Sequence, residues 1–144
     1  MATLDQGQYE RLLRFRTGLR QFLRWSAEQA ALAGLTPAQH QLLLAVRGHP
    51  DRRGPTIGEV AGYLLLRHHS AVELVDRAQA AGLIERRADP DDGRAVRLRL
   101  TARGEERLQA LTTAHLEELA RLESQLHSLW AGLGTAPDPP LEDA

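Results

Sequence analysis

The chain has 144 residues, a formal net charge of −1, 42% hydrophobic and 26% charged residues, and no cysteine. That length suits one folded core rather than two, and the absence of thiols excludes disulfides, thiolate metal sites and thiol redox switching. All 18 basic residues are arginine, so a nucleic-acid partner would require them to be gathered on one surface of this nearly neutral chain.

No apolar run approaches the roughly 18 residues of a membrane span. The N-terminal MATLDQGQYER lacks the apolar centre of a signal peptide, and a cytoplasmic protein is expected. From Asp5 to about Ala33, Leu12, Phe15, Leu19 and Phe22 recur at helical spacing among Arg11, Arg14, Arg16, Arg20 and Arg24, giving a long helix that needs a partner. Gly34 ends it. Thr36, Pro37 and Gln39 carry the cap, first-position proline and capping-box signals of a second helix reaching about Arg47, with Leu42, Leu43, Ala45 and Val46 as its apolar set.

Gly48 to Pro55 reads as a loop, and Thr56-Ile57-Gly58-Glu59 as a second capping box opening a short helix to about Tyr63. A further helix contains His69 to Ala81, with Val72, Val75 and Ala78 on its apolar side and Gly82 as its stop. Ala61 is small where two steeply crossing helices would approach. Val60, Leu64, Leu66, Val72 and Val75 could fill the wedge between them, as in a helix-turn-helix.

Ile84 to Arg87 and Ala95 to Leu100 read as strands joined by the turn-rich Asp89 to Gly93. Val96, Leu98 and Leu100 alternate with Arg97 and Arg99, so one face of the hairpin would lie on a helical core and its arginines and tip would project to solvent. This is the layout of a wing reaching a phosphate backbone and a minor groove, although a merely solvated hairpin has the same pattern. Thr101 can cap a last helix in which Leu119, Leu122, Leu126, Leu129 and Leu133 form a second seam. The tail from 134 to 144, rich in proline and acid, is expected to be disordered.

Six fragments, in order, resemble the MarR family of winged helix-turn-helix transcriptional regulators: Leu35-Thr36-Pro37-Ala38-Gln39, Glu59-Val60-Ala61, Leu74-Val75-Asp76-Arg77, Gly82 to Arg87, Asp89 to Arg94, and Leu100 to Gly104. The resemblance covers about residues 35 to 107. It implies a mainly α fold with a small β-hairpin wing, divided into an N-terminal dimerisation helix (1–34), the DNA-binding domain (35–100) and a C-terminal dimerisation helix (101–133). It further implies a homodimer that binds a pseudo-palindromic operator on double-stranded DNA, usually as a repressor. Many members of the family release DNA when a small anionic or phenolic effector enters a cleft.

Carried onto this chain, the family pattern places Arg67, His68, His69, Ser70 and Glu73 at the exposed start of the recognition helix, with Arg77 farther along it. Arg94 stands at the wing tip, where an arginine on a tight turn suits a narrow minor groove. Asp92 is expected to hold the Arg94 guanidinium by a charge-assisted hydrogen bond. Arg86, Arg87, Arg97 and Arg99 are expected to meet phosphates or solvent. Arg16, Arg20, Trp25 and His40 lie on the helices that line the family's effector cleft.

Two departures stand out. The segment from Thr101 to Ala131 has no internal break where the family often has one. Leu64-Leu65-Leu66 occupies a connection where the family frequently has glycine or serine. No glycine-rich phosphate loop, GxSxG, HExxH or cysteine nucleophile is present, so neither an enzyme, a cofactor nor a metal site is expected. The competing expectation is a winged-helix architectural or protein-interaction module that reads no sequence.

Overall fold

In a computed structural model that describes residues 3–131 and 133, the elements follow in the order α1 (Gln6–Leu32), α2 (Pro37–Gly48), α3 (Ile57–Leu64), α4 (His68–Ala80), β1 (Ile84–Ala88), β2 (Val96–Leu100) and α5 (Ala102–Trp130). The expected tail lies outside the described residues. The contacts divide the chain into two units, one of Met1–Ser26 with His115–Ala144 and the other of Ala27–Ala114. The borders of these two units fall inside α1 and α5.

The reason is visible in the core of the second unit. Ala30 and Leu35, beside the end of α1, and Leu108 and Leu111 of α5 are buried together with Leu42, Leu43, Val46, Val60, Leu74, Val75, Ala78, Leu83, Ile84 and Leu98. Burying a leucine or isoleucine contributes roughly 1.5–3 kcal/mol, so the ends of both long helices are fixed by this core rather than by their own helix propensity.

Local signals place the helix ends. Gly34 takes φ +75° after α1, and Leu35 N donates to Ala30 O at 2.9 Å. Thr36 and Thr56 both form complete capping boxes, with Gln39 and Glu59 reaching back to the cap backbone. Thr101 Oγ1 accepts from Gly104 N at 3.1 Å and donates to Gly82 O at 2.6 Å, tying the start of α5 to the end of α4.

The connection between α3 and α4 is tight. Leu65 caps α3 in the left-handed conformation (φ 55°, ψ 42°), its N–H directed at Ala61 O and Gly62 O, while Leu66 N donates to Ala61 O at 3.0 Å. That Schellman arrangement favours glycine at the left-handed position, and an L side chain there costs about 1 kcal/mol. The Leu65 side chain gains nothing in return, being 91% exposed. Leu65→Gly is therefore expected to raise stability by about 0.5–1 kcal/mol, since relief of strain outweighs the added freedom of the unfolded chain. A lower midpoint in urea unfolding would contradict it.

The wedge between α3 and α4 is filled partly by other residues than those expected. Val60 and Val75 are buried, Leu64 and Val72 are half-buried, Leu66 is exposed, and Ala71, Leu74 and Ala78 complete the packing. The buried set of α4, Ala71, Leu74, Val75 and Ala78, follows a 3-1-3 step that places Val72 on the border of the apolar face.

The first unit pairs the earlier part of α1 with the later part of α5. Phe22 stacks on Trp25, and His115 lies against both, with Ser26 Oγ 2.6 Å from His115 Nε2. Phe15 meets Trp130 edge-on at 5.4 Å. A Cβ on Gly18 would come within 2.9 Å of Leu129 Cδ1, so the helices touch where the small residue allows it. α5 is one helix without a break, as its sequence implies. Among the described residues, no helix is long and apolar enough to cross a membrane.

Candidate nucleic-acid interface

The side of α4 turned away from its buried residues carries Ser70, Glu73 and Arg77, three or four residues apart, and Arg67 immediately precedes the helix. Arg67, His68, His69, Glu73 and Arg77 are exposed, and Ser70 is half-buried. Arg67 stands just before the first turn in extended conformation and gives the helix no side-chain cap. Such an end leaves backbone N–H groups suited to an anion.

The hairpin pairs Ile84 with Leu100, Arg86 with Leu98 and Ala88 with Val96, so these residues share a face, while Glu85, Arg87, Arg97 and Arg99 share the other. The inner face is less uniform than the alternation implies: Leu98 is buried, Leu100 half-buried and Val96 exposed near the tip. Arg86 lies over α4, where Asp76 accepts from its guanidinium at 2.6 Å and Gln79 also bonds it. Arg87 is held by Glu85 at 2.6 Å. Arg99 is exposed and donates to Arg52 O at 3.3 Å.

Arg97 differs most from its expected projection into solvent, because its side chain is only 16% exposed. Its Nε donates to Asp89 Oδ2 at 3.1 Å, and its Nη1 donates to Gly54 O at 3.2 Å and Glu59 Oε1 at 3.3 Å. It braces the base of the hairpin against the preceding loop and the start of α3.

At the tip, Asp92 Oδ1 accepts from the backbone N–H of Arg94 at 3.1 Å, and Ala95 N donates to Asp92 O at 3.0 Å. Asp92 thus organises the turn through the main chain rather than gripping the guanidinium as expected. A carboxylate two residues ahead in a turn reaches the following N–H more readily than a long side chain directed outward. Among the described residues, Arg67, Arg77 and Arg94 make no ion pair, which leaves all three guanidiniums available.

A second cluster escaped sequence reasoning. Arg53, in the loop between α2 and α3, bonds Asp51 through Nε and through Nη2 at 2.8 Å, and its Nη1 lies 3.4 Å from both Asp89 Oδ2 and Asp91 Oδ2. Asp89 is 3% exposed between Arg53 and Arg97, and its Oδ1 accepts from Asp91 N at 2.9 Å. These partners lie up to 38 residues apart, beyond any local pattern. Nearby, His49 bonds Tyr63 OH at 2.8 Å and lies 3.0 Å from Glu59 Oε2.

The Asp91 N–H above all, then the guanidinium hydrogen bond from Arg97 and the charges of Arg53 and Arg97, hold the Asp89 carboxyl below its usual range. Side-chain and backbone hydrogen bonds from Arg53 depress that of Asp51 further. Both carboxylates are favoured as ions in the fold, so their contribution is full above the ordinary carboxylate range and fades as pH falls below about 4. The stability gap between the protein and Asp89→Asn should be widest near neutral pH and narrow on acidification. A gap independent of pH in parallel urea titrations would remove Asp89 from this balance.

Of the residues implied for an effector, Arg16 and Arg20 are exposed on α1 and Trp25 is half-buried beside Phe22 and His115. His40 is buried on α2 within the other unit. Among the described residues, no group of three or more His, Asp or Glu could hold a metal ion.

Residues 33–95 match the profile described as MarR family. The uncharacterised HTH-type transcriptional regulator YsmB of Bacillus subtilis (strain 168) is 41% identical over 64 residues, a match covering 44% of each chain. The chain thus spans less than half the length of that curated relative. A MarR family protein from Bacillus stearothermophilus superposes with a TM-score of 0.69 at 26% identity, covering 85% of this chain and 84% of the other. The S. aureus MepR–DNA complex has the same fold, with a TM-score of 0.66 at 24% identity over 78% of this chain and 81% of that one. With its six motifs in order on a hairpin-winged helix-turn-helix, the chain resembles the MarR family over residues 33–95 and shares the fold of a MarR family protein.

Proposed function

We propose that the protein is a sequence-specific DNA-binding transcriptional regulator. The observation that carries this reading is the free cationic set of the winged unit: Arg67 at the start of α4, Arg77 on its exposed side, and Arg94 on a turn whose backbone is held by Asp92. Side chains on such a helix reach major-groove base edges, and a tip arginine suits a minor groove. His68, His69, Ser70 and Glu73 flank the helix contacts. Arg86, Arg87 and Arg99 are assigned to phosphates, whereas Arg97 contributes by bracing the wing. S. aureus MepR, a chain of this fold, has been solved with DNA.

The acting form is a homodimer. Leu12, Leu13, Leu19, Leu23, Leu116 and Leu119 are exposed in a single copy of the first unit, and a second copy would remove them from water. Two-fold symmetry then calls for half-sites about one helical turn apart. The regulator acts as a repressor relieved by a small anionic or phenolic compound, for which Arg16, Arg20 and Trp25 of the first unit are the assigned residues.

The test is footprinting of the purified protein on its own upstream region in the presence of excess unrelated duplex. Protection of a two-fold-related pair of sites that survives the competitor is the expected result. Protection that vanishes with competitor would favour an architectural module bound by charge alone.

A further inference from the structure

We propose that Arg53, a loop residue outside both the recognition helix and the wing, is a positioning residue that sets where Arg94 reaches, and with it the wing's base preference. This inference rests on the DNA-binding reading above. The wing tip is closed by its own bonds, from Arg94 N to Asp92 Oδ1, from Asp91 N to Asp89 Oδ1 at 2.9 Å, and from Asp89 N to Ala95 O and Ala95 N to Asp92 O at 3.0 Å. Its tie to the preceding loop comes from outside the hairpin. Arg53 Nη1 lies 3.4 Å from the carboxylates of Asp89 and Asp91, one on each side of Pro90.

Arg53 is itself fixed by two routes. Asp51 takes three of its guanidinium contacts, at 2.8 to 3.2 Å, and also accepts from its backbone N–H at 2.9 Å. Immediately after it, the backbone turns at Gly54 (φ +86°), and Leu98 N donates to Pro55 O at 2.9 Å, joining the loop to β2.

The buried Asp89 carboxylate is then shared with Arg97, which continues to Gly54 O and to Glu59 at the start of α3. One connected network thus joins the loop, the first turn of α3 and the root of the wing tip. A planar guanidinium held on one side by Asp51 presents its remaining edge in one direction. Asp89 and Asp91, and with them the turn that carries Arg94, are drawn to that edge. Removing Arg53 leaves Asp89 held by Arg97 and still bonded to Asp91 N, but takes from the Asp91 carboxylate its tie to the loop, so that the tip can shift as a unit about Asp89.

The test uses the full chain and a duplex that the wild-type protein selects from a randomised 30-base-pair library, in paired forms with A·T or G·C steps at the wing positions. Affinities of wild type, Arg94→Ala, Arg53→Met, Arg53→Lys and the double variant Arg53→Met/Arg94→Ala are measured by fluorescence anisotropy at several salt concentrations. Arg94→Ala should lose about tenfold or more and flatten the flank preference. Arg53→Met should reproduce most of both losses, Arg53→Lys should recover part of them, and the double variant should be no worse than Arg94→Ala alone.

The double variant should also keep the salt slope of Arg94→Ala. A double variant weakened by the product of the single losses, or a slope lower by a further unit of about 1, would show Arg53 acting independently and overturn the inference alone. Wild-type affinity in Arg53→Met would also overturn it. If Arg94→Ala itself binds as wild type, the wing reading fails and this inference falls with it.

Discussion

Gly104→Ala is expected to be among the most destabilising single-methyl changes in the chain, at about 3 kcal/mol or more. A Cβ at Gly104 would stand 2.1 Å from Leu83 O and 3.0 Å from its carbonyl carbon, both backbone atoms that cannot rotate away. The same carbonyl accepts from Thr101 N at 3.1 Å, and Thr101 Oγ1 bonds both Gly82 O and Gly104 N. Moving α5 outward to admit the methyl group would therefore stretch the contacts that join it to the end of α4. It would also lift Leu108 and Leu111 from the core they share with Leu42 and Leu83.

Gly62→Ala supplies the opposite sign. Gly62 lies inside α3, nothing stands within 4 Å of where its Cβ would be, and alanine should stabilise by about 0.5–1 kcal/mol through helix propensity. Thermal or urea unfolding of the pair decides the matter. If both variants shift the same way, the close approach at Leu83 O is not what places glycine at 104.

Arg94→Ala should weaken the protein on its selected duplex by about tenfold or more, with the unfolding midpoint and the mass in solution unchanged. Stability should not respond, because the guanidinium makes no ion pair among the described residues and Asp92 holds only the Arg94 main chain, which alanine retains. Binding should respond because a minor groove concentrates negative potential where a tip arginine enters. The loss should fall mainly on sites with A·T steps at the wing positions. Arg77→Ala, an exposed change on α4, should leave that flank preference intact while reducing affinity. Unchanged anisotropy titrations for Arg94→Ala would take the tip out of recognition.

What could be read from the residues follows the range of the forces involved. Thr36 with Gln39 and Thr56 with Glu59 announce two helix starts because a cap acts within four residues. Gly34 and Gly82 announce two stops for the same reason. The hairpin was legible from alternation, and its strand limits differ by one residue at the tip.

The roles of its arginines were not. Arg86 and Arg97 look alike in the sequence, yet one lies across α4 on Asp76 and Gln79 while the other braces Gly54, Glu59 and Asp89. Only the fold brings those partners near. Arg53 was read as loop because every signal around it, His-Pro-Asp and Gly-Pro, describes backbone and not the carboxylates 36 and 38 residues away. The run Leu64-Leu65-Leu66 gave a partial signal: three leucines in the connection between two helices mark the turn in which Leu65 adopts positive φ.

The main-chain bond from Asp92 to Arg94 also bears on how quickly the protein lets go of its partner. A turn fixed through its backbone, with its long side chain left unclamped, gives Arg94 a defined origin and many rotamers. Ordering such a side chain on contact costs about 1–2 kcal/mol of conformational entropy, met when the wing enters the groove rather than beforehand. Encounter is governed by overall charge and orientation and is nearly indifferent to that ordering, so right and wrong sequences should be met at similar rates. Discrimination by the wing should then appear in residence time: the free arginine samples each groove it meets and stays where the groove holds it.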